Sequence, residues 1–167
     1  MFDTIAGLPI HPLVVHAAVV LGPLAALLLV IYVIKADWRM ALRWPTVLTG
    51  VGAGLSAAVA ASSGESLQHR VDQLASAAQR SLVEEHAEAG DMAAASLYVL
   101  AIAVVLVVFF LLRPRPAKPI GRGVAALGVL VTVVAVGFST FAIVNAGHTG
   151  ASASWEDVVA TTTGGGE

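Results

Sequence analysis

The stretch GLPIHPLVVHAAVV, residues 7–20, sets two imidazoles, His11 and His16, at the head of a long apolar run. Three more histidines follow, His69, His86 and His148, with Glu65, Glu84, Glu85 and Glu88 as nearby carboxylates. Imidazole ligates metal ions as a neutral base near physiological pH. Two chemistries suit such a set. Paired imidazoles from different helices of a bundle hold haem iron axially, whereas histidine combined with glutamate suits a zinc or copper ion. The candidate haem ligands are His16, His86, His148 and His11; the candidate metal ligands are His11, His16, His86, His148 and Glu65. His69, followed directly by Arg70, reads as a solvated side chain.

Several other chemistries are excluded or weakened. The chain has no cysteine, which removes disulfides, thiolate metal sites, iron–sulfur ligation and covalent CxxCH haem. No phosphate loop, HExxH helix or nucleophile–base pattern is present, so an electron-transfer or binding module is a better reading than a stand-alone enzyme. There is no basic tract on the histidine side, and nucleic acid is not a partner.

The elements that must position these residues are membrane helices. Of 167 residues, 57% are hydrophobic and 12% charged, with a mean hydropathy of +0.86, far from the balance of a soluble domain. A span needs roughly 20 apolar residues, and the sequence predicts four: about 12–34, 44–62, 82–113 and 121–146. The fold class is therefore all-α, a polytopic four-helix transmembrane bundle over residues 1–151, with a flexible tail over 152–167. The first ten residues carry neither a basic run nor a small-residue cleavage site, so helix 1 is expected to stay rather than be removed as a signal peptide.

Charge then orients the bundle. The two short connections hold seven basic residues (Lys35, Arg39, Arg43, Arg113, Arg115, Lys118 and Arg122), against Arg70 and Arg80 on the opposite side. The positive-inside bias puts the short connections in the cytoplasm and both termini on the non-cytoplasmic side. Trp38 and Trp44 fall at the inner interface, where amphipathic rings anchor helices. All five histidines fall at the outer end, as do ten of the eleven acidic residues, Asp37 being the exception.

Local signals refine this outline. Pro12 suits the first helical position, with His11 at the cap. Four residues beyond Pro12, His16 lies about 6 Å deeper, its ring about 140° around the axis from that of His11. The two do not chelate as a pair, and His16 is expected to find a partner across the bundle among His86, His148, Glu65 and Glu85. Pro23, in mid-helix, removes a backbone donor. In helix 2, Gly50, Gly54, Ala58 and Ser62 form a small-residue strip suited to close helix packing or to docking in a larger complex. Leu67, Val71, Leu74 and Ala75 repeat at helical spacing and predict a short amphipathic helix in the outer loop. Ser81 with Glu84 makes a capping-box pattern that starts helix 3 near Leu82. Gly147 is expected to stop helix 4, leaving His148 in a turn over the bundle mouth.

These landmarks carry a resemblance. HPLVVHAAVVLGPLA, the Ser63–Gly64–Glu65 close of helix 2, EEHAEAG entering helix 3 and GHTGA closing helix 4 resemble, in order, the bacterial membrane proteins called domain of unknown function 2231. The resemblance covers about residues 8–151. It departs after His16, where an aromatic and a proline are common in the family, and after GHTG, where an aromatic often follows. What it implies is a four-helix integral membrane domain, found in some cases with Rieske or cytochrome c modules. His11, His16, His86 and His148 match the family's histidine positions, and Glu65 a recurrent acidic one.

Together these readings predict a redox or metal module of the bacterial cytoplasmic membrane. In it, b-type haem passes electrons between a membrane quinol pool and an external redox protein. The alternatives are a zinc or copper site for sensing or delivery, and a structural subunit of a membrane complex or homo-oligomer.

Overall fold

The computed structural model describes residues 4–5, 7–74, 76–116 and 119–163. Two two-residue strands, Thr4–Ile5 and Leu8–Pro9, pair antiparallel through a turn in which Gly7 takes φ +82°. Four helices follow: α1 (Ile10–Ile34), α2 (Arg39–Leu74), α3 (Ala77–Leu106) and α4 (Arg122–Thr163). Each is long and apolar enough to cross a membrane. A single 3-10 turn, Ala36–Trp38, joins α1 to α2, and α3 ends in a π-helical segment, Val107–Leu111. Sequential helices pack side by side, α4 closes back on α1, and α1 also meets α3 across the bundle.

Alanine makes up much of the packed interior, around a few large buried side chains such as Tyr32, Leu29 and Leu100. Ala25, Ala26, Ala53, Ala57, Ala103, Ala135 and Ala142 are buried, while Val20, Leu27, Leu48, Leu55, Ile102, Phe110, Val133 and Val144 are exposed. In lipid there is no hydrophobic drive between helices, so close backbone approach and dispersion hold the bundle. Glycine marks where that approach is tightest. A Cβ on Gly22 would lie 2.8 Å from Leu97 and 3.0 Å from Ile143, which brings α1, α3 and α4 together at the centre. One on Gly50 would lie 2.9 Å from Val104, and one on Gly54 3.2 Å from Ala101. At Gly50 and Gly54 the small-residue strip is thus used within the chain, against α3, and Gly54 with Ala58 also lines an open apolar groove between α2 and α3. Ala58 and Ser62, further along the strip, are exposed.

Several boundaries differ from the sequence reading, and α2 starts at Arg39 rather than near residue 44. α1 begins at Ile10, placing Pro12 within the first turn, where a missing N–H still costs nothing. α2 runs without a break to Leu74, absorbing the amphipathic stretch expected as a separate helix; Ala75 lies outside the described residues. α3 is capped five residues earlier than the Ser81–Glu84 pattern predicts. The Ser76 hydroxyl accepts from the Gln79 N–H, and the Gln79 side chain accepts from the Ser76 N–H. α4 passes through Gly147, where a stop is expected, and through the stretch expected to be a flexible tail, to Thr163. A mid-helix glycine costs only about 1 kcal/mol, too little to end a helix that is still packing against a neighbour.

Candidate functional site

The histidine end of the bundle brings two of the five imidazoles onto the backbone of a neighbouring helix, in the same way both times. His11 of α1 lies over Gly64 of α2: a Cβ there would stand 2.9 Å from its Cε1 and 3.1 Å from its Nδ1. His86 of α3 lies over Gly150 of α4: a Cβ there would stand 2.9 Å from its Cε1 and 3.2 Å from its Nδ1. Real Cβ contacts are not that short, so glycine is what admits each ring. Gly147, bypassed as a helix stop, has nothing within 4 Å, while Gly150 one turn on forms the cradle.

The hydrogen bonds repeat as well. His11 Nδ1 donates to the Ala60 carbonyl at 2.9 Å, one turn before Gly64. The Ser63 hydroxyl donates to the same carbonyl at 3.1 Å. In the other half, Thr149 donates to the Ala146 carbonyl at 3.2 Å, one turn before Gly150. With its proton committed there, the Thr149 oxygen accepts from His86 Nδ1 at 3.2 Å, and the Ala146 carbonyl also lies within reach of that ring. The Ala60 carbonyl can only accept, so the His11 ring carries its proton on Nδ1 and has Nε2 as its basic nitrogen. That is the tautomer an Nε2 metal ligand needs, with its orienting partner already in place. Both rings are half-buried, and His11 is an electrostatic neighbour of His86.

The correspondence extends down the bundle. Ala25, Leu29 and Tyr32 stand at the same distances along α1 from His11 as Leu100, Val104 and Val107 stand along α3 from His86, and all six are fully buried. Thr46 and Ala53 relate to Gly64 as Thr132 and Ser139 relate to Gly150, and these four are buried too. Burial thus falls at matching positions of the two hairpins. The signal was present in the chain as AASSGES at 60–66 and AGHTGAS at 146–152, two short segments that sequence reading treated separately.

The other candidate residues stand apart from this pair. His16 is exposed on the outside of α1 and donates through Nδ1 to the Pro12 carbonyl of its own helix. The cross-bundle partner expected for it is not there, because its own first turn satisfies it. His148 lies within α4 rather than in a turn, and it is exposed, as are Glu65, Glu85 and His69. Among the described residues, no three His, Cys, Asp or Glu side chains gather where they could hold a metal ion. The set His11, His16, His86, His148 and Glu65 is therefore not assembled as one site.

No curated protein and no solved structure matches this chain. A family model described as a predicted membrane protein, DUF2231, matches residues 7–163, which takes in both histidine–glycine contacts, and the chain belongs to that family.

Proposed function

We propose that the histidine end is a two-ligand site in which His11 and His86 hold b-type haem, making the protein an electron-transfer module of the bacterial cytoplasmic membrane. The observation that carries this reading is the matched pair of imidazoles, each seated on a glycine of the following helix and held there through Nδ1. Axial ligation of haem iron asks for two imidazole nitrogens; a structural or catalytic zinc site asks for three or four protein ligands, and no such group gathers among the described residues. When bound, haem would supply a one-electron couple. The chain's own part is to orient the two imidazoles.

The seven basic residues of the short connections favour a cytoplasmic position for the opposite end. The histidines then face outward, within reach of an external redox protein, while the membrane supplies a quinol pool.

The test is an optical spectrum of detergent-purified protein expressed with haem, oxidised and then dithionite-reduced. Sharp reduced α and β bands, lost in His11→Ala and in His86→Ala but kept in His16→Ala and His148→Ala, are expected. A featureless spectrum from folded protein would sink the reading, and elemental analysis for copper and zinc would follow.

A further inference from the structure

The opposite end of the bundle is built around arginine and aromatic rings, and nothing in the haem reading uses it. Arg39, at the start of α2, donates from Nε to the Tyr32 carbonyl and from Nη2 to the Val33 carbonyl, each at 3.2 Å. These are late carbonyls of α1, without intrahelical partners of their own. One turn on, the Arg43 guanidinium carbon stands 4.7 Å from the centre of the Phe109 ring and 5.3 Å from that of Trp44. Those two rings meet edge to face at 6.2 Å. Arg43 is thus fixed in place, yet its Nε is buried and has no hydrogen-bond partner.

Charge at this end is unbalanced. Arg39 and Arg43 both lie within electrostatic reach of Tyr32, whose hydroxyl donates to the Leu112 carbonyl at 2.9 Å, and Arg113 follows at once. Asp37 is the one acid in either short connection. Among the described residues, no carboxylate pairs with Lys35, Arg39, Arg43, Arg113, Arg115 or Arg122; Lys118 lies outside them. Two like charges one helical turn apart repel, and a buried guanidinium N–H without an acceptor is costly. The repulsion is offset by one anion with several oxygens set between the two guanidinium groups.

We infer that Arg39 and Arg43 form a binding site for the phosphodiester of an anionic phospholipid. Guanidinium groups bind phosphate oxygens through paired, charge-assisted hydrogen bonds. A lipid is the source, rather than free phosphate, because the site continues into apolar surface. Trp44 is 57% exposed and Leu48, one turn deeper, 68% exposed, which provides a wall for an acyl chain below a headgroup held at the arginines. The exposed rings of Trp38 and Trp44 set this corner at headgroup depth, and basic pockets between helix ends are where anionic headgroups bind.

The experiment is a thermal melt of the full-length protein in neutral detergent, read by tryptophan fluorescence and titrated with phosphatidylglycerol, phosphatidylcholine or inorganic phosphate. Phosphatidylglycerol is expected to raise the midpoint by several degrees in a saturable way, with the other two leaving it unchanged. The increment should vanish in the Arg39→Gln/Arg43→Gln double variant and persist in Arg122→Gln. Equal shifts with phosphatidylcholine, or a shift reproduced by inorganic phosphate, would overturn the assignment. So would an increment lost equally in Arg122→Gln, which would mean diffuse attraction to a basic surface. Should the double variant fail to fold, the wild-type comparison of the three additives still decides.

Discussion

The first hairpin, α1 with α2, and the second, α3 with α4, agree closely at the histidine–glycine contact and differ at both ends of it. His11 is the second residue of α1, whereas His86 lies well inside α3, which reaches back to Ala77. At the other end, α1 presents Tyr32 where α3 presents Val107, and Val107 begins the π-helical turn. In that turn the Leu112 N–H reaches back to the Val107 carbonyl at 2.8 Å, and the Leu112 carbonyl accepts from Tyr32. The halves therefore keep in common the contact that sets two imidazoles, and they diverge where one hairpin must fit against the other.

The sharpest way to break this comparison is to remove one imidazole at a time. His11→Ala and His86→Ala should each abolish the reduced haem bands completely, since one axial ligand cannot replace two; a spectrum surviving either change would make the halves unequal. Next in size, Gly64→Leu and Gly150→Leu should each destabilise the bundle by about 1–3 kcal/mol through overpacking, measured by unfolding in mixed micelles. Similar costs at the two sites would support equivalence. Gly54→Leu, which meets Ala101 and the Leu97 carbonyl, should fall in the same range by breaking the α2–α3 seam of the fold itself. Tyr32→Phe removes one buried hydrogen bond and should cost about 1 kcal/mol, with no spectral change. His16→Ala, on an exposed side chain bonded to its own helix, should stay within about 0.5 kcal/mol of wild type and leave the spectrum intact.

Much of the fold was legible, because apolar length and the placement of arginines are properties of segments and need no knowledge of how helices face one another. The four spans and the shared end of the histidines followed from that alone. Helix ends were less legible. SAAQ at 76–79 sets serine three residues before glutamine, the same spacing that sets Ser81 before Glu84 in the capping pattern chosen instead, and the polar stretch between α2 and α3 lengthens both helices because polar residues in water do not oppose helix formation. The site itself was half legible. That His11 and His16 point apart follows from helical geometry, but which one faces the interior depends on the rotation of α1 against α2, which Gly64 decides. His16 drew attention for its depth in apolar sequence; depth marks a residue as unusual without saying whether lipid or protein surrounds it.

The buried hydroxyls of this core carry one further consequence. Ser96, Thr132, Ser139 and Thr149 each donate to a carbonyl of their own helix, at 2.7, 2.8, 3.2 and 3.2 Å. A helix that satisfies its polar groups internally can leave the translocation machinery for lipid before its neighbours have been synthesised. All four hydroxyls lie on α3 and α4, so they ask nothing of α1 or α2 during biogenesis, whereas Tyr32 of α1 finds its acceptor only when the end of α3 is in place. The histidine that seats on a glycine of the following helix is then a late event, coming when each hairpin closes, so ligand capture would report that all four helices have arrived.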